Sequence, residues 1–303
     1  MAESQVAASP IGTRQATNYL GRRRALRYWL LLVPGFLLLG TVFLYPIARF
    51  LLLSFQSESG ISLANYRHLL TVPLYSQVLI NTGVIALSTT VLCLVLGYPL
   101  AYFIANLSSV WSRRLLFLVL IPFWISILVR SYAWMVLLGR NGIVNNFLSS
   151  IGVISEPLPL MFNRTGVLIG MVQILLPYMI LPLFAVMRSI DPVYLRAAAS
   201  LGAPGWRAML HVYFPLSLPG VAAGSLLVFI LSLGFFITPA LLGGRRDMMI
   251  AMLIEQQVNQ ALNFGLAAAL AGVLLVATIV LLVVFERVLG LERLLGGLGG
   301  DAR

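Results

Sequence analysis

The sequence predicts an all-α integral membrane protein with six transmembrane helices and a short cytoplasmic helix between the fourth and the fifth. Two observations carry this prediction. Of the 303 residues, 60% are hydrophobic and only 10% are charged, whereas soluble domains carry roughly 25% charged residues. The apolar residues also gather in six long runs, each near the roughly 20 residues that a helix needs to cross a bilayer. A soluble fold of this size could not cover so much apolar surface with polar groups.

The six apolar runs define a membrane domain over residues 28–288, since turn signals and short polar segments separate them. The predicted spans lie at about 28–53, 79–105, 115–138, 165–187, 216–242 and 264–288. Residues 1–27 and 289–303 are predicted to be cytoplasmic tails, and residues 188–215 a cytoplasmic loop. Between the first two spans, residues 65–68 are predicted to begin a short surface helix.

The basic residues indicate how the chain is oriented. All 20 are arginines, and the net charge is +11. With the N-terminus inside, thirteen lie in cytoplasmic segments and five in external loops, as the positive-inside rule expects. Both termini are therefore predicted to be cytoplasmic. Because no soluble stretch interleaves basic with aromatic residues, nucleic-acid binding is not expected.

The loop at residues 188–215 contains a segment that predicts a short helix lying outside the membrane. Asp191 is a favourable N-cap, and Pro192 fits the first helical position. A run of alanines follows, and Gly202 and Pro204 are stop signals. Four residues share one face at helical spacing, namely Leu195, Ala198, Ala199 and Gly202. This face could fit the groove of a partner protein, or it could pack on the protein's own spans.

Residues 196–203 and 214–220 resemble the signature loop of ABC importer permeases. The family pattern begins Glu-Ala-Ala, has a glycine four residues after the second alanine, and continues with Phe-Pro or Leu-Pro before Pro-Gly. All of these are present here except that Arg196 replaces the family's glutamate. The resemblance implies that the short helix is the coupling helix that docks into an ATPase subunit. Its contact residues would be Arg196, Ala197, Ala198, Ala199 and Gly202.

Further stretches resemble the spermidine/putrescine branch of these permeases, and the similarity extends over roughly residues 60 to 285. They are residues 97–102, 130–134, 137–142, 176–179 and 238–244. The resemblance implies import of a polyamine such as spermidine or putrescine. Related branches carry opines, aminoalkylphosphonates or iron, and these solutes stay open as alternatives.

The chain is not predicted to be an enzyme or to hold a cofactor or metal. It contains no lysine, so it lacks the phosphate-cradling loop that an ATPase requires. The single cysteine, Cys93, is expected to be a small buried residue. The family resemblance implies separate ABC ATPase subunits, a second and different permease subunit, and a periplasmic solute-binding protein. It also implies the bacterial inner membrane as the location.

A cationic solute requires carboxylates or aromatic faces along its path. Asp247 and Glu255, in the last external loop, are candidates for a cation-attracting mouth, unless they are solvated and balanced by Arg245 and Arg246. Aromatic side chains are the other candidates, although each could instead anchor or pack a helix. They are Trp124, Tyr132, Trp134, Tyr178, Phe235 and Phe236.

Arg130 is a charge within the predicted third span, roughly 24 Å from its cytoplasmic end at 1.5 Å per residue. It could pair with an external acid or a helix-end carbonyl. It could instead contact an anionic group on the solute, which would favour an aminoalkylphosphonate or opine over a polyamine.

Two other classes of protein are weighed against an importer subunit. A secondary transporter would show intramembrane acids or an inverted repeat, and neither is evident. A membrane enzyme would need paired histidines or carboxylates within the spans, but His68 and His211 lie in or beside loops.

Overall fold

The computed structural model describes residues 32–57 and 60–289. Most of both predicted tails lies outside these ranges, as do residues 28–31 of the first predicted span. The described chain is almost entirely helical and divides into two units, one ending at Leu53 and one beginning at Ser54. The predicted fold class, an all-α membrane protein, is confirmed.

The first unit contains one helix, α1 (Leu32–Leu53), with a π-helical turn at Leu39–Leu44. Its 22 residues span roughly 33 Å at 1.5 Å per residue, enough to cross the hydrocarbon core. None of its apolar window is buried within the structure. A helix that is apolar all round belongs in lipid or against other membrane helices.

The second unit begins with a small hairpin and a surface helix. Strand β1 (Gln56–Ser57) pairs antiparallel with β2 (Gly60–Ile61). Helix α2 (Ala64–Thr71) follows, which confirms the predicted surface helix. The Asn65 side chain donates hydrogen bonds to the carbonyls of Ser54 and Gln56, so it ties α2 to the hairpin.

The remaining helices form the membrane bundle and its connections. In order they are α3 (Pro73–Asn106), α4 (Ser109–Leu120), α5 (Ile127–Leu138), α6 (Ile143–Ser150), α7 (Arg164–Ser189), α8 (Pro192–Ser200), α9 (Gly205–Leu233), α10 (Ile237–Leu242), α11 (Ile250–Asn259) and α12 (Phe264–Leu289). Helix α4 continues into a 3₁₀ turn at Ile121–Trp124, and α9 contains a π-helical turn at Met209–Tyr213.

Among the described residues, five helices are long and apolar enough to cross a membrane: α1, α3, α7, α9 and α12. Helices α4 and α5 meet at a 95° bend and make a sixth span only if they are counted together. The predicted third span, 115–138, is therefore not one continuous helix. Pro122 lies in the 3₁₀ turn, and Ile125 is in an extended conformation, so helical hydrogen bonding stops there.

Three other predicted segments also differ from the structure. The predicted fifth span, 216–242, is divided, because α9 begins at Gly205 and ends at Leu233, while α10 forms a separate short helix. The predicted loops between spans three and four and between spans five and six contain helices α6 and α11. Apolar periodicity locates spans well, but it does not locate short breaks within them.

The core of the second unit lies where α3, α7 and α9 pack together. Met179 of α7 is fully buried between the other two helices. A Cβ atom added at Gly224 of α9 would lie 3.1 Å from the Met179 carbonyl oxygen, and one at Gly97 of α3 would lie 3.0 Å from its Cγ. Gly220, four residues before Gly224, approaches α7 equally closely. Small residues at this spacing allow membrane helices to pack backbone against backbone.

A smaller apolar cluster joins α2, the start of α3, α11 and α12. Polar contacts reinforce it, since the Thr82 hydroxyl accepts a hydrogen bond from the Ile250 amide at 2.9 Å. The Asn81 amide donates to the carbonyls of Arg246 and Met248. These contacts hold the segment between α10 and α11 at the end of the bundle opposite α8.

Candidate functional site

Helix α8 has the capping chemistry that its sequence predicts. The Asp191 carboxylate accepts a hydrogen bond from the Val193 amide at 2.8 Å, and Pro192 occupies the first helical position. At the other end Gly202 has a φ of +79°, and the Ala203 amide donates to the Ala198 carbonyl at 3.0 Å. This pattern is a Schellman stop, in which glycine removes the penalty of a left-handed backbone.

The predicted four-residue face of α8 is not one free surface. Leu195 is half-buried against the core and Ala198 is buried, because α8 packs on the first turns of α9. Ala199 and Gly202 are exposed. Leu195 and Ala198 therefore pack on the protein's own helices, which is one of the two alternatives that the sequence left open for this face. We call the exposed residues of this segment the outer face of α8: Arg196, Ala197, Ala199, Ser200, Leu201 and Gly202.

Asp247 does not form an open, cation-attracting mouth. It is only 5% exposed, and its carboxylate accepts a hydrogen bond from the Gly244 amide at 3.1 Å. It also forms an ion pair with Arg164, the Nε atom lying 3.5 Å from Oδ1. The expected balance by Arg245 and Arg246 is therefore wrong, because Arg164 at the start of α7 supplies the counter-charge.

Glu255 lies elsewhere, half-buried on α11, where it accepts a hydrogen bond from the Asn259 amide at 3.1 Å. Arg164 also donates to the Asn81 side chain. Each of the two predicted acids is thus bound by a different residue of this chain, Asp247 by Arg164 and Glu255 by Asn259. The structure does not bring the two acids together as a pair.

Two of the aromatic candidates make contacts between α7 and the α4–α5 segment. Trp134 donates its indole N–H to the Gln173 side-chain oxygen at 3.4 Å. The Tyr178 ring lies 4.8 Å from the Phe123 ring. Gln173 was not identified from the sequence, although it is an amide in an otherwise apolar stretch of α7, roughly 14 Å from Arg164 at 1.5 Å per residue.

The other aromatic candidates are dispersed. Phe235 packs on the core at the break between α9 and α10, and Phe236 is half-buried beside it. Tyr132 is exposed on α5, and Trp124 is 87% exposed at the α4–α5 bend. The structure therefore does not gather them into one site with Trp134 and Tyr178.

Arg130 lies in the first turn of α5 and is half-buried. Its Nε atom is buried and has no hydrogen-bond partner within the described ranges. An acid or helix-end carbonyl paired with this guanidinium was predicted, and neither is found in the part of the chain that the structure describes. A buried donor of this kind is costly unless something outside this chain satisfies it.

Residues 97–289 match the model of the protein family described as "Binding-protein-dependent transport system inner membrane component". The chain belongs to this family. The match extends from the second half of α3 to the end of α12, and therefore includes α8 and the residues around Gln173.

Individual relatives narrow this assignment. The spermidine/putrescine transport system permease protein PotB of Escherichia coli (strain K12) is 37% identical over 263 residues, which cover 86% of this chain and 93% of that protein. Its counterpart in Salmonella typhimurium (strain LT2) is 36% identical over the same length, covering 86% of this chain and 89% of that protein. The inner membrane ABC transporter permease protein YdcU of Escherichia coli is 32% identical over 233 residues, covering 72% and 73%.

Solved structures agree on the fold. A bacterial ABC transporter that imports the acidic polysaccharide alginate contains a chain that matches with a TM-score of 0.68 at 19% identity, covering 90% of this chain and 98% of that chain. The alginate transporter in complex with its pentasaccharide-bound periplasmic protein matches with a TM-score of 0.69 at 20% identity, covering 89% and 96%. The predicted family and fold class are confirmed together.

Proposed function

We propose that this chain is the permease subunit of an ATP-driven importer that moves a polyamine, such as spermidine or putrescine, into the cytoplasm. One observation carries the proposal. The chain is 36–37% identical over 263 residues to spermidine/putrescine permeases, across 86% of its length. Identity at this level over nearly the whole membrane domain supports a shared role as well as a shared fold.

The energy for transport comes from separate subunits. The chain has no lysine, and a phosphate-cradling nucleotide loop requires one. We infer ABC ATPase subunits on the cytoplasmic side, a second and different permease subunit that completes the pore, and a periplasmic protein that delivers the solute. The α12 and α3 helices leave long apolar faces exposed, as expected of a chain that is covered by lipid and by another membrane subunit.

The outer face of α8 is the surface that meets the ATPase. Leu201 is 89% exposed at the end of this helix, so an apolar side chain is available there to a partner groove. Small residues around it, Ala197 and Ala199, let a partner groove approach the backbone. A coupling role for α8 explains why the apolar Leu201 side chain, which precedes the helix-ending Gly202, is exposed.

Arg196, which replaces the family's glutamate, is exposed on this face. We expect the partner ATPase to place an acidic residue opposite it. Arg196→Glu is expected to lower the solute moved per ATP in the reconstituted importer, because like charges would then face each other across the interface. Arg67, which is on α2 and remote from α8, provides a matched control as Arg67→Glu. An unchanged ratio in Arg196→Glu would show that Arg196 has no specific role.

The orientation of the chain follows from its arginines and from the number of crossings. If the bent pair α4–α5 counts as one span, six crossings place both termini on the same side. Thirteen arginines against five then place that side in the cytoplasm. Protease accessibility of tags at the two termini, in right-side-out vesicles, tests this; a tag cleaved at one end only would contradict it.

Within the membrane, the solute path passes the part of α7 that contains Gln173 and Tyr178. Helices α3, α7 and α9 contain no acidic residue, so this chain offers a cation aromatic faces and an amide oxygen instead of carboxylates. Trp134→Ala and Tyr178→Ala are expected to raise the KM for spermidine. Tyr132→Ala, an exposed aromatic on the same helix as Trp134, serves as the control.

The uptake experiment uses the complete importer with its ATPase, second permease and binding protein. Cells expressing it are given radiolabelled spermidine, putrescine, an opine and an aminoalkylphosphonate. Spermidine or putrescine uptake that is abolished by inactivating the ATPase subunit supports the proposal. Uptake that persists without that subunit and follows an ion gradient would instead identify a secondary transporter.

Arg130 favours a second candidate, an importer of the same class for a solute with an anionic group. Its half-buried guanidinium has an Nε donor with no partner among the described residues, and a carboxylate or phosphonate would satisfy it. Arg130→Gln is expected to abolish uptake of such a solute while the protein still folds. If Arg130→Gln leaves spermidine uptake intact and no anionic solute is transported, this candidate is excluded.

A further inference from the structure

Helix α8 is flanked in sequence by two residues that both reach the same part of α3. Arg188 lies in the last turn of α7, three residues before the α8 N-cap. Tyr213 lies at the end of the π-helical turn that begins nine residues after α8. Both contact the last two turns of α3, which end at Asn106.

Arg188 joins three chain segments with one guanidinium. Its Nη1 atom donates to the carbonyls of Ala105, at 2.6 Å, and Leu107, at 3.0 Å. Its Nη2 atom donates to the Ser109 hydroxyl at 3.3 Å. The last carbonyls of a helix have no partner within the helix, and a positive charge there also interacts favourably with the helix dipole. Arg188 therefore caps α3 and holds the turn that connects α3 to α4.

Tyr213, which follows α8 in the sequence, also contacts α3. It is 3% exposed, and its ring stands edge-on to the Tyr102 ring at 5.1 Å. A second contact runs beside it, since the Tyr98 and Ser217 hydroxyls are 2.9 Å apart. The Tyr213 hydroxyl itself is buried, near the Asn106 side chain at the end of α3.

The turn that carries Tyr213 is also the surface on which α8 rests. Helix α8 packs directly on the π-helical turn Met209–Tyr213. Such turns are often found at functional sites. A displacement of α8 thus reaches Tyr213 through packing and Arg188 through the two-residue connection at its N-terminus.

From these contacts we propose that Arg188 and Tyr213 form a clamp on the cytoplasmic end of α3, through which movement of α8 is passed to α3 and to the α3–α4 turn. The inference rests on the proposed function, in which the ATPase moves α8. Both are positioning residues, since neither touches the nucleotide or the solute. Because α3 packs along α7 and α9 through the core, a pull at its end moves the bundle as a unit.

The test measures radiolabelled spermidine moved per ATP hydrolysed by the complete importer in vesicles. Arg188→Gln removes the charge, and we expect this ratio to fall about fivefold or more, the range typical of coupling between two sites. Arg188→Lys keeps the charge with a different donor geometry and is expected to restore part of the ratio. Arg113→Gln is the matched control, because the hydrogen bond that Arg113 makes among the described residues goes to the Ser109 carbonyl of its own helix.

Tyr213 provides an independent variant pair. Tyr213→Phe keeps the ring that packs on Tyr102 and is expected to leave the ratio near wild type. Tyr213→Leu removes the aromatic contact and is expected to lower the ratio as Arg188→Gln does. A purely structural role would reduce the amount of assembled complex, and with it transport and hydrolysis in proportion, while leaving the ratio unchanged.

The outcomes separate the two levels of the proposal. A wild-type importer that shows no ATP-dependent uptake would overturn the proposed function. A wild-type importer that works, with normal ratios in Arg188→Gln and Tyr213→Leu, would overturn only the clamp. If neither of these variants assembles, Arg188→Lys decides: a lowered ratio supports the clamp, and a wild-type ratio overturns it.

Discussion

The close packing of α7 against α9 predicts how a substitution at Gly224 changes the stability of the protein. An added Cβ atom there would lie 2.8 Å from the Met179 Sδ atom and 3.1 Å from the Met179 carbonyl oxygen. Met179 is fully buried, so its side chain has little room to move, and the carbonyl belongs to the backbone of α7. Gly224→Ala must therefore push the two helices apart by a few tenths of an ångström.

The expected magnitude combines two opposing effects. Overpacking a well-filled core costs about 1–3 kcal/mol. Replacing glycine by alanine inside a helix gains about 1 kcal/mol. Gly83→Ala is the matched control, because a Cβ at Gly83, within α3, meets nothing within 4 Å. The control variant receives only the helical gain, so the difference between the two variants isolates the packing cost of about 1–3 kcal/mol.

The measurement is the free energy of unfolding of each variant in detergent micelles, from denaturant titrations followed by far-UV circular dichroism. Gly224→Ala is expected to be less stable than Gly83→Ala by the packing cost. Gly220→Ala should behave like Gly224→Ala, since its Cβ would lie 3.1 Å from the Leu183 Cα atom. Equal changes in Gly83→Ala and Gly224→Ala would refute the inferred α7–α9 contact.

Three further predictions test other parts of the fold. Asp247→Asn is expected to cost about 1–2 kcal/mol in unfolding free energy, because a buried carboxylate loses its pairing with the partly exposed Arg164; unchanged stability would contradict this. Asp191→Ala is expected to destabilise α8 by about 1 kcal/mol, seen as faster amide hydrogen exchange confined to that helix. Cys93, fully buried, is expected to react with a maleimide only on unfolding, whereas Leu70→Cys, at an exposed site, should be labelled at once.

Apolar run length and capping residues could be interpreted from the sequence alone, because both depend on local chemistry. Lipid demands long apolar segments with internal hydrogen bonding, so the apolar runs 165–187 and 264–288 agree to within two residues with helices α7 and α12. Asp191 and Gly202 act on their own neighbouring backbone, so the ends of α8 were also predictable. The family signature in the same segment depended on residue identity and not on the fold.

Contacts between distant parts of the chain could not be obtained in this way. Asp247 lies next to two arginines in sequence, yet its partner is Arg164, which only the packing of α7 brings to it. Gln173 gave a signal as an isolated amide, but its bond to Trp134 depends on the bend between α4 and α5. The spacing of the two α9 glycines marks a packing face, although nothing local says which helix covers it.

The sequence by itself therefore determined that this chain is a membrane protein, how many apolar runs it has, and where the short helix α8 begins and ends. Tertiary structure decided which side of that helix is free, where the third and fifth spans break, and which charges are paired. The reason is physical. Whether a segment is buried in lipid, and how a helix is capped, depends on residues within that segment. Which charges pair, and which helices pack closely, depends on which distant segments the fold brings together.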